Sequence, residues 1–203
     1  MRARPTAAAA TIALVLTLTA CGSSSPSAST SSKSTTTPAG AADPNAPEVV
    51  EPGDIPDNQV FVAYTPPGAS FSVKVPEGWS RSSAGETVTF TDKYNSIQIS
   101  SSDGTQAPTV ASVKASGLGD VTSDPTFALG SVKKVTRSGV PAVVASYEIG
   151  SPPNDVTGKS ALLAVERYEL EKNGTTVVLT LSGAKGADNV DPWKIVSDSV
   201  VWT

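Results

Sequence analysis

The 203-residue chain contains no histidine and a single cysteine, Cys21. Without imidazole there is no Ser-His-Asp or Cys-His nucleophile, no histidine general base and almost no transition-metal site. With one thiol there is no intramolecular disulfide and no zinc–thiolate centre, and once Cys21 is modified no cysteine nucleophile remains. The folded part is therefore held by its core alone. The chemistry left open belongs to carboxylates, lysine and tyrosine, and no cofactor is expected.

Positive charge is also scarce, with 15 basic residues against 19 acidic ones. Arg2 and Arg4 belong to an export signal. Their removal leaves 13 basic against 19 acidic residues, a net charge of −6. An acidic domain is repelled by phosphate backbones, so no nucleic-acid partner is expected. Anionic lipid headgroups repel it in the same way, which leaves membrane attachment to something other than charge.

That attachment is legible near the start of the chain. Arg2 and Arg4 form a positive n-region, and Ala7 to Thr19 form an apolar h-region centred on Ile12 to Leu18. This is the layout of an export signal. A membrane-spanning helix needs about 20 apolar residues, and this run is shorter. Leu18-Thr19-Ala20-Cys21 then resembles a bacterial lipobox, in which the thiol takes a diacylglyceryl group and cleavage leaves the cysteine first. A thiolate is the only good nucleophile in the region. Residues 1–20 are thus read as a lipoprotein signal peptide. Acyl chains on Cys21 would hold the protein at the extracytoplasmic face of the cell membrane.

From Gly22 to Asp57 the chain is Ser, Thr, Ala, Pro and Gly with few large apolar residues. Such a segment buries too little surface to offset its ordering entropy. Residues 21–57 read as the lipidated cysteine and a disordered tether with a reach of roughly 30–35 Å. The folded domain is expected over residues 58–203.

Within it, Gln59 to Tyr64 is a first strand, and Phe71, Val73 and Val75 alternate with Ser and Lys. Val88 and Phe90 alternate with Thr87, Thr89 and Thr91, and Ile97 and Ile99 alternate with Ser96, Gln98 and Ser100. A period of two marks strands with one apolar face. Further strands are predicted over 127–137, 142–149, 161–172 and 175–182. Ser138-Gly139 and Asn173-Gly174 are the hairpin turns. A short helix follows Pro108, with Val110 and Val113 on one side and Gly117 as its stop. A closing helix is expected with Asp191 as cap and Pro192 as first residue, presenting Trp193, Val196 and Val200. The class is α+β, an antiparallel β-sheet flanked by helices.

Phe71-Ser72-Val73-Lys74-Val75-Pro76-Glu77-Gly78-Trp79 resembles the opening of PsbP-like domains, including the LpqN-type lipoproteins of actinobacteria. Gly139-Val140-Pro141-Ala142 is similar to their central hairpin, and Asp191-Pro192-Trp193 through Trp202 to their closing helix and final tryptophan. The resemblance implies an α/β/α sandwich over about residues 59–203 and a role in docking onto protein partners without catalysis. Some relatives bind metal through histidine-containing sites, which this chain lacks.

Two residues stand out as contacts for a ligand or partner. Glu166 interrupts the apolar series Leu162, Ala164, Tyr168, Leu170, so it is either a raised-pKa acid or a ligand contact, or else sits at a bulge or in an ion pair with Arg167 or Lys172. Tyr94 lies open between charged and polar neighbours. Trp193 and Trp202 are expected in the core. Asp103, Asp120, Asp124 and Asn154-Asp155 do not follow calcium-loop spacing and read as turn formers. Lys133, Lys134 and Arg137 form a small basic spot. The function expected is a tethered, non-enzymatic docking module for another cell-envelope protein. The alternative is a lipoprotein holding a small hydrophobic or glycan ligand between sheet and helix. An enzyme using Glu148, Glu166 and Glu169 is a third.

Overall fold

The computed structural model describes residues 53–104, 106–153 and 158–203. Leu18, Thr19, Ala20 and Cys21, the signal segment, most of the tether, and Asn154-Asp155 lie outside the described residues.

Among the described residues ten strands form two antiparallel sheets. β1 (Phe61–Tyr64), β2 (Phe71–Pro76) and β10 (Val201–Trp202) make a small sheet in the order β1-β2-β10. The large one contains β3 (Ser80–Ala84), β4 (Thr87–Asp92), β5 (Asn95–Asp103), β6 (Ala128–Arg137), β7 (Val140–Gly150), β8 (Leu162–Lys172) and β9 (Thr175–Ala184). Its order is β3-β4-β5-β9-β8-β7-β6. Hairpins close at Ser138-Gly139 and Asn173-Gly174, where Ser138 and Asn173 have φ of 50° and 55° and the following glycines are also positive. That is the backbone a two-residue turn needs to match strand twist.

Both faces of the large sheet are packed, by different means. On one, Ile97, Ile99, Leu179 and Leu181 meet Phe71 of β2 and Val196 of α2 (Val190–Ser197). On the other, Val143, Ala145, Tyr147 and Val165 meet Val113 and Leu118 of the segment between β5 and β6. Full burial of such side chains contributes about 1.5–3 kcal/mol each. In the large sheet the pairings are between consecutive strands apart from β5 with β9, which brings residues 96–103 beside 175–182, and in the small sheet β10 returns to β2.

The helical part is smaller than expected. The β5–β6 segment has one α-turn, α1 (Val110–Ser112), capped by Thr109 and Ser112 in a reciprocal box, then a π-helical turn over Val113–Gly117. Each face carries one short helical segment, so antiparallel sheet dominates and helices flank only part of it. Pro108 sits just before the Thr109 cap. The closing helix starts at Val190 after Asn189, and Pro192 is its third residue. β3 has no counterpart in the sequence reading, because Ser80-Arg81-Ser82-Ser83-Ala84 is exposed throughout and shows no apolar alternation. Packing also begins upstream of Asn58: Ile55 is buried, and the Gly53 carbonyl accepts from Asn95 and Asn189.

Candidate functional site

Side chains directly opposite across a sheet share a face. The register therefore lays out rows across the large sheet. One runs Ser82, Thr89, Gln98, Thr180, Arg167, Ala145 from β3 to β7. The next runs Ser100, Val178, Glu169, Val143 from β5 to β7, with Thr87 and Ser100 lining one depression. The π-turn covers the β7–β8 end of these rows. The β4, β5 and β9 end stays open, and it is lined by small hydroxyls. Depressions of about 370, 540 and 330 Å³ lie along this face, and Gln98 lines all three.

Arg167 sits where the covered and open halves meet. Its residue is 7 % exposed. Nη1 donates to Asp120 Oδ1 at 2.6 Å and to the Gly117 carbonyl at 2.7 Å, and Nη2 donates to Asp120 Oδ2 at 2.7 Å. Nε donates to Thr180 Oγ1 at 3.1 Å, and the guanidinium lies 5.9 Å from the centre of the Tyr147 ring. A bidentate fork with two further acceptors is how a guanidinium is buried at tolerable cost. The hydrogen bonds from Arg167 hold the Asp120 carboxyl below its usual range, against partial desolvation. Burial pushes the Tyr147 phenol up.

Glu169 is two residues along β8 on the same face. It is half-buried and accepts no hydrogen bond from a described residue. Desolvation raises its pKa, and the nearby Arg167 charge offsets this only in part. Its carboxylate packs over Gly117, where a Cβ would run into Glu169 Oε1. The close approach of Glu169 favours glycine at the end of the π-turn, and the backbone carbonyl of the same residue accepts from Arg167.

Glu166 lies on the opposite face, toward α2. It accepts a short hydrogen bond from the Tyr168 hydroxyl, and Arg137 donates to that hydroxyl at 3.4 Å. An ion pair with Arg167 is ruled out by the strand itself, because consecutive residues point to opposite faces. Lys172 instead stands 5.6 Å over the Trp202 ring. Burial, then the bond to Glu166, raises the Tyr168 phenol. Tyr94 is 49 % exposed in the β4–β5 turn and lines the outer depression beside Thr89 and Gln98. Glu166 and Tyr94 are therefore not brought together.

The other candidates disperse. Glu148 and Glu166 share the α2 face with Ala164 and Ser146, whereas Glu169 is on the other, so the sheet stands between them. Glu148 pairs with Lys185 at 2.9 Å. Trp79, Trp193 and Trp202 pack against the α2-side core and Tyr147 is buried on the other face. Asp124 accepts from the Thr126 backbone N–H at 2.8 Å as a turn former. Arg137 is tied to Ser197 at 2.9 Å and leaves the basic spot. Among the described residues no three His, Cys, Asp or Glu side chains gather as a metal site, and no helix is long and apolar enough to cross a membrane.

Arg167, Asp120 and Glu169 went unrecognised as a site from sequence. Asp120 is 47 residues from its partner, with no local pattern linking them. The available sign was parity: Leu163, Val165, Arg167 and Glu169 change from apolar to charged along one face of β8.

Neither a protein-family model nor a curated protein sequence matches the chain. Among solved structures it is similar to cyanobacterial PsbP (CyanoP) of Synechocystis sp. PCC 6803, with a TM-score of 0.52 and 14 % identity over 74 % of this chain and 98 % of that one. A protein of Bacteroides thetaiotaomicron VPI-5482 gives a TM-score of 0.51 and 13 % identity over 70 % of this chain. The match spans about half of that protein's length, 48 %. LpqN of Mycobacterium tuberculosis, involved in cell envelope biogenesis, gives a TM-score of 0.42 and 17 % identity over 71 % of this chain and 90 % of that one. The fold is PsbP-like.

Proposed function

We propose that this chain is a lipoprotein held at the extracytoplasmic face of the cell membrane by acyl chains on Cys21. Its PsbP-like domain acts by contact with another envelope protein, without turnover. The observation that carries the contact reading is the filled seam between sheet and helix. Phe71, Ile99, Leu179, Leu181 and Val196 are each 0 % exposed there, which weighs against a lipid or sugar between α2 and the sheet. The division of Glu148 and Glu166 from Glu169 by the sheet weighs against a carboxylate-pair enzyme, which needs both groups facing one cleft.

Exposed apolar side chains elsewhere support this reading. Five of the eight exposed large hydrophobics among the described residues (Val60, Val62, Val190, Ile195 and Val201) lie on or beside β1, α2 and β10. β1 and β10 pair with β2, and α2 packs on it. Apolar residues gathered on one side of an acidic domain suit a partly apolar protein interface.

The test is cell fractionation of the wild type and Cys21→Ser, combined with crosslinking from cysteine-free positions on α2 and β1. The wild type should pellet with membranes, Cys21→Ser should be released, and crosslinks should recur to one envelope protein. Full membrane retention of Cys21→Ser would sink the anchor. Consumption of a substrate that depends on Glu148, Glu166 or Glu169 would sink the contact reading.

A further inference from the structure

The open half of the large sheet has a composition that ordinary solvent exposure does not call for. Solvated strand faces usually carry lysine and glutamate, which keep a protein soluble. Here Thr87, Thr89, Gln98 and Ser100 occupy the centre, and none of their side chains hydrogen-bonds to a described residue. Charge is confined to the two ends: at the inner end Arg167 is already neutralised by Asp120 at 2.6 Å, and at the outer rim Lys93, 4.0 Å from Asp92, and Lys159 border the depression beside Tyr94. Glu169 then presents a carboxylate with no donor. Tyr94 stands at the outer end, 49 % exposed, with its ring beside the same depression.

We propose that this face, from Tyr94 across Gln98 to Glu169, binds an uncharged glycan segment. Three features converge on that ligand class. Serine, threonine and glutamine each offer both a donor and an acceptor, which matches sugar hydroxyls that do the same. Apart from Gln98, the side chains at the centre are serine and threonine, which lose less rotamer freedom when covered than long polar side chains do. An exposed tyrosine supplies a flat apolar face and a polar tip for stacking a sugar ring. From the Ser96 row to the Ser100 row is about 13 Å along the strands, and β4 to β8 spans about 14 Å across them. A few sugar rings fit that area.

Other occupants fit less well. An anionic ligand spanning the face meets Lys93 and Lys159 at the outer rim, but it runs into Glu169 and Asp120 at the inner end of a net acidic domain. A cationic group would find Arg167 beside Glu169. The centres of protein interfaces are rich in aromatics and poor in serine, whereas this centre is the reverse. The π-turn adds an independent pointer, because such turns are rare and cluster at functional sites. This one, over Val113–Gly117, ends at the residue that positions both Arg167 and Glu169. The proposal stands apart from the docking surface on β1, α2 and β10, so either can fail alone.

The experiment is isothermal calorimetry on the full acylated protein in a non-glycosidic detergent, with maltohexaose, mannohexaose, xylohexaose and chitohexaose as probes. At least one should bind with a Kd below about 1 mM. Gln98→Lys and, separately, Thr89→Lys should weaken that binding about tenfold or more with Tm unchanged, and Tyr94→Ala severalfold. Both lysine sites are solvent-facing, so folding is preserved in at least one variant. Lack of binding by all four probes at about 10 mM, or binding that both lysine variants leave intact, overturns the proposal. Capture of a protein by a photocrosslinker at position 98 in intact cells, with no glycan binding, also overturns it.

Discussion

Asn189 donates through Nδ2 to Asn95 Oδ1 at 3.1 Å, linking the loop before the last helix to a strand 94 residues earlier. Both amides also donate to the Gly53 carbonyl, at 2.9 Å from Asn95 and 3.2 Å from Asn189. Asn189 Oδ1 accepts from the Ile55 N–H at 2.7 Å. The two residues are 3 % and 2 % exposed, so little water replaces a lost partner. This knot is where the end of the proposed tether is fastened to the domain.

Asn189→Ala strands the Ile55 N–H and the Asn95 carbonyl oxygen in the interior. Unsatisfied buried groups cost about 1–3 kcal/mol each, so a loss of about 2–4 kcal/mol is expected in urea unfolding. Gly183→Ala should act through the same knot, since a Cβ there would lie 2.6 Å from both Asn189 Nδ2 and Asn95 Oδ1. Either change should also speed proteolysis around residues 53–58. An Asn189→Ala protein with wild-type stability would show that the knot fastens nothing.

The Arg167–Asp120 pair predicts a stability step in acid. The Asp120 pKa is lowered, so the folded state binds its proton less readily than the unfolded chain. The pair therefore contributes fully above the ordinary carboxylate value near 3.9, and its contribution is lost as pH falls through the lowered value. The Asp120 side chain is 63 % exposed, which limits the effect. Asp120→Ala should cost about 1–2 kcal/mol at pH 7, most of it from the stranded Arg167, after allowance for solvent screening. Thermal unfolding of the variant against the wild type from pH 7 to pH 2 should show that difference shrinking only below pH 4.

Glu169 has the opposite sign. Its raised pKa means that the folded state prefers the protonated form. Its stabilising share is present below the unfolded value near 4.3 and disappears as pH rises through the folded value. Glu169→Gln should therefore raise Tm by about 1–3 °C at pH 7 and leave it unchanged near pH 3.5. Destabilisation at pH 7 would mean that the charged carboxylate is held by a partner.

The strands that sequence alone revealed are those whose two faces differ in chemistry. Val88 and Phe90 against Thr87, Thr89 and Thr91 produce a period of two, and β4 occupies those positions. β3 escaped because both its faces meet solvent, and it is a strand only through pairing with β4. Asn189 escaped because its role is tertiary: its side chain leaves helix capping to Gly53, Ile55 and Asn95, and Asp191 was the better local candidate. Glu166 is legible in the sequence as a carboxylate on an apolar face, but its partner Tyr168, two residues along that face, is not the adjacent Arg167 that the sequence offers. The hydroxyl series Thr87, Thr89, Gln98 and Ser100 was visible as the outer half of each alternation. That it joins Arg167 and Glu169 into one surface depends on β5 pairing with β9, a contact between segments about 80 residues apart.

Trp202 offers a test in which a smaller side chain should do as well as the native one. Its Nε1–H is buried and has no acceptor among the described residues, while its ring packs against the α2-side core. Trp202→Phe removes the unsatisfied donor, a relief of about 1–3 kcal/mol. It also gives up part of the ring area and the contact with Lys172, together about 1 kcal/mol. The expected net change is between zero and about 2 kcal/mol of added stability. Trp202→Ala, which empties the site, should instead cost about 2–3 kcal/mol, below the fully buried range because the residue is partly exposed. If Trp202→Phe lost as much as Trp202→Ala, the indole N–H would have a partner, and this corner of the domain would be held by a hydrogen bond as well as by packing.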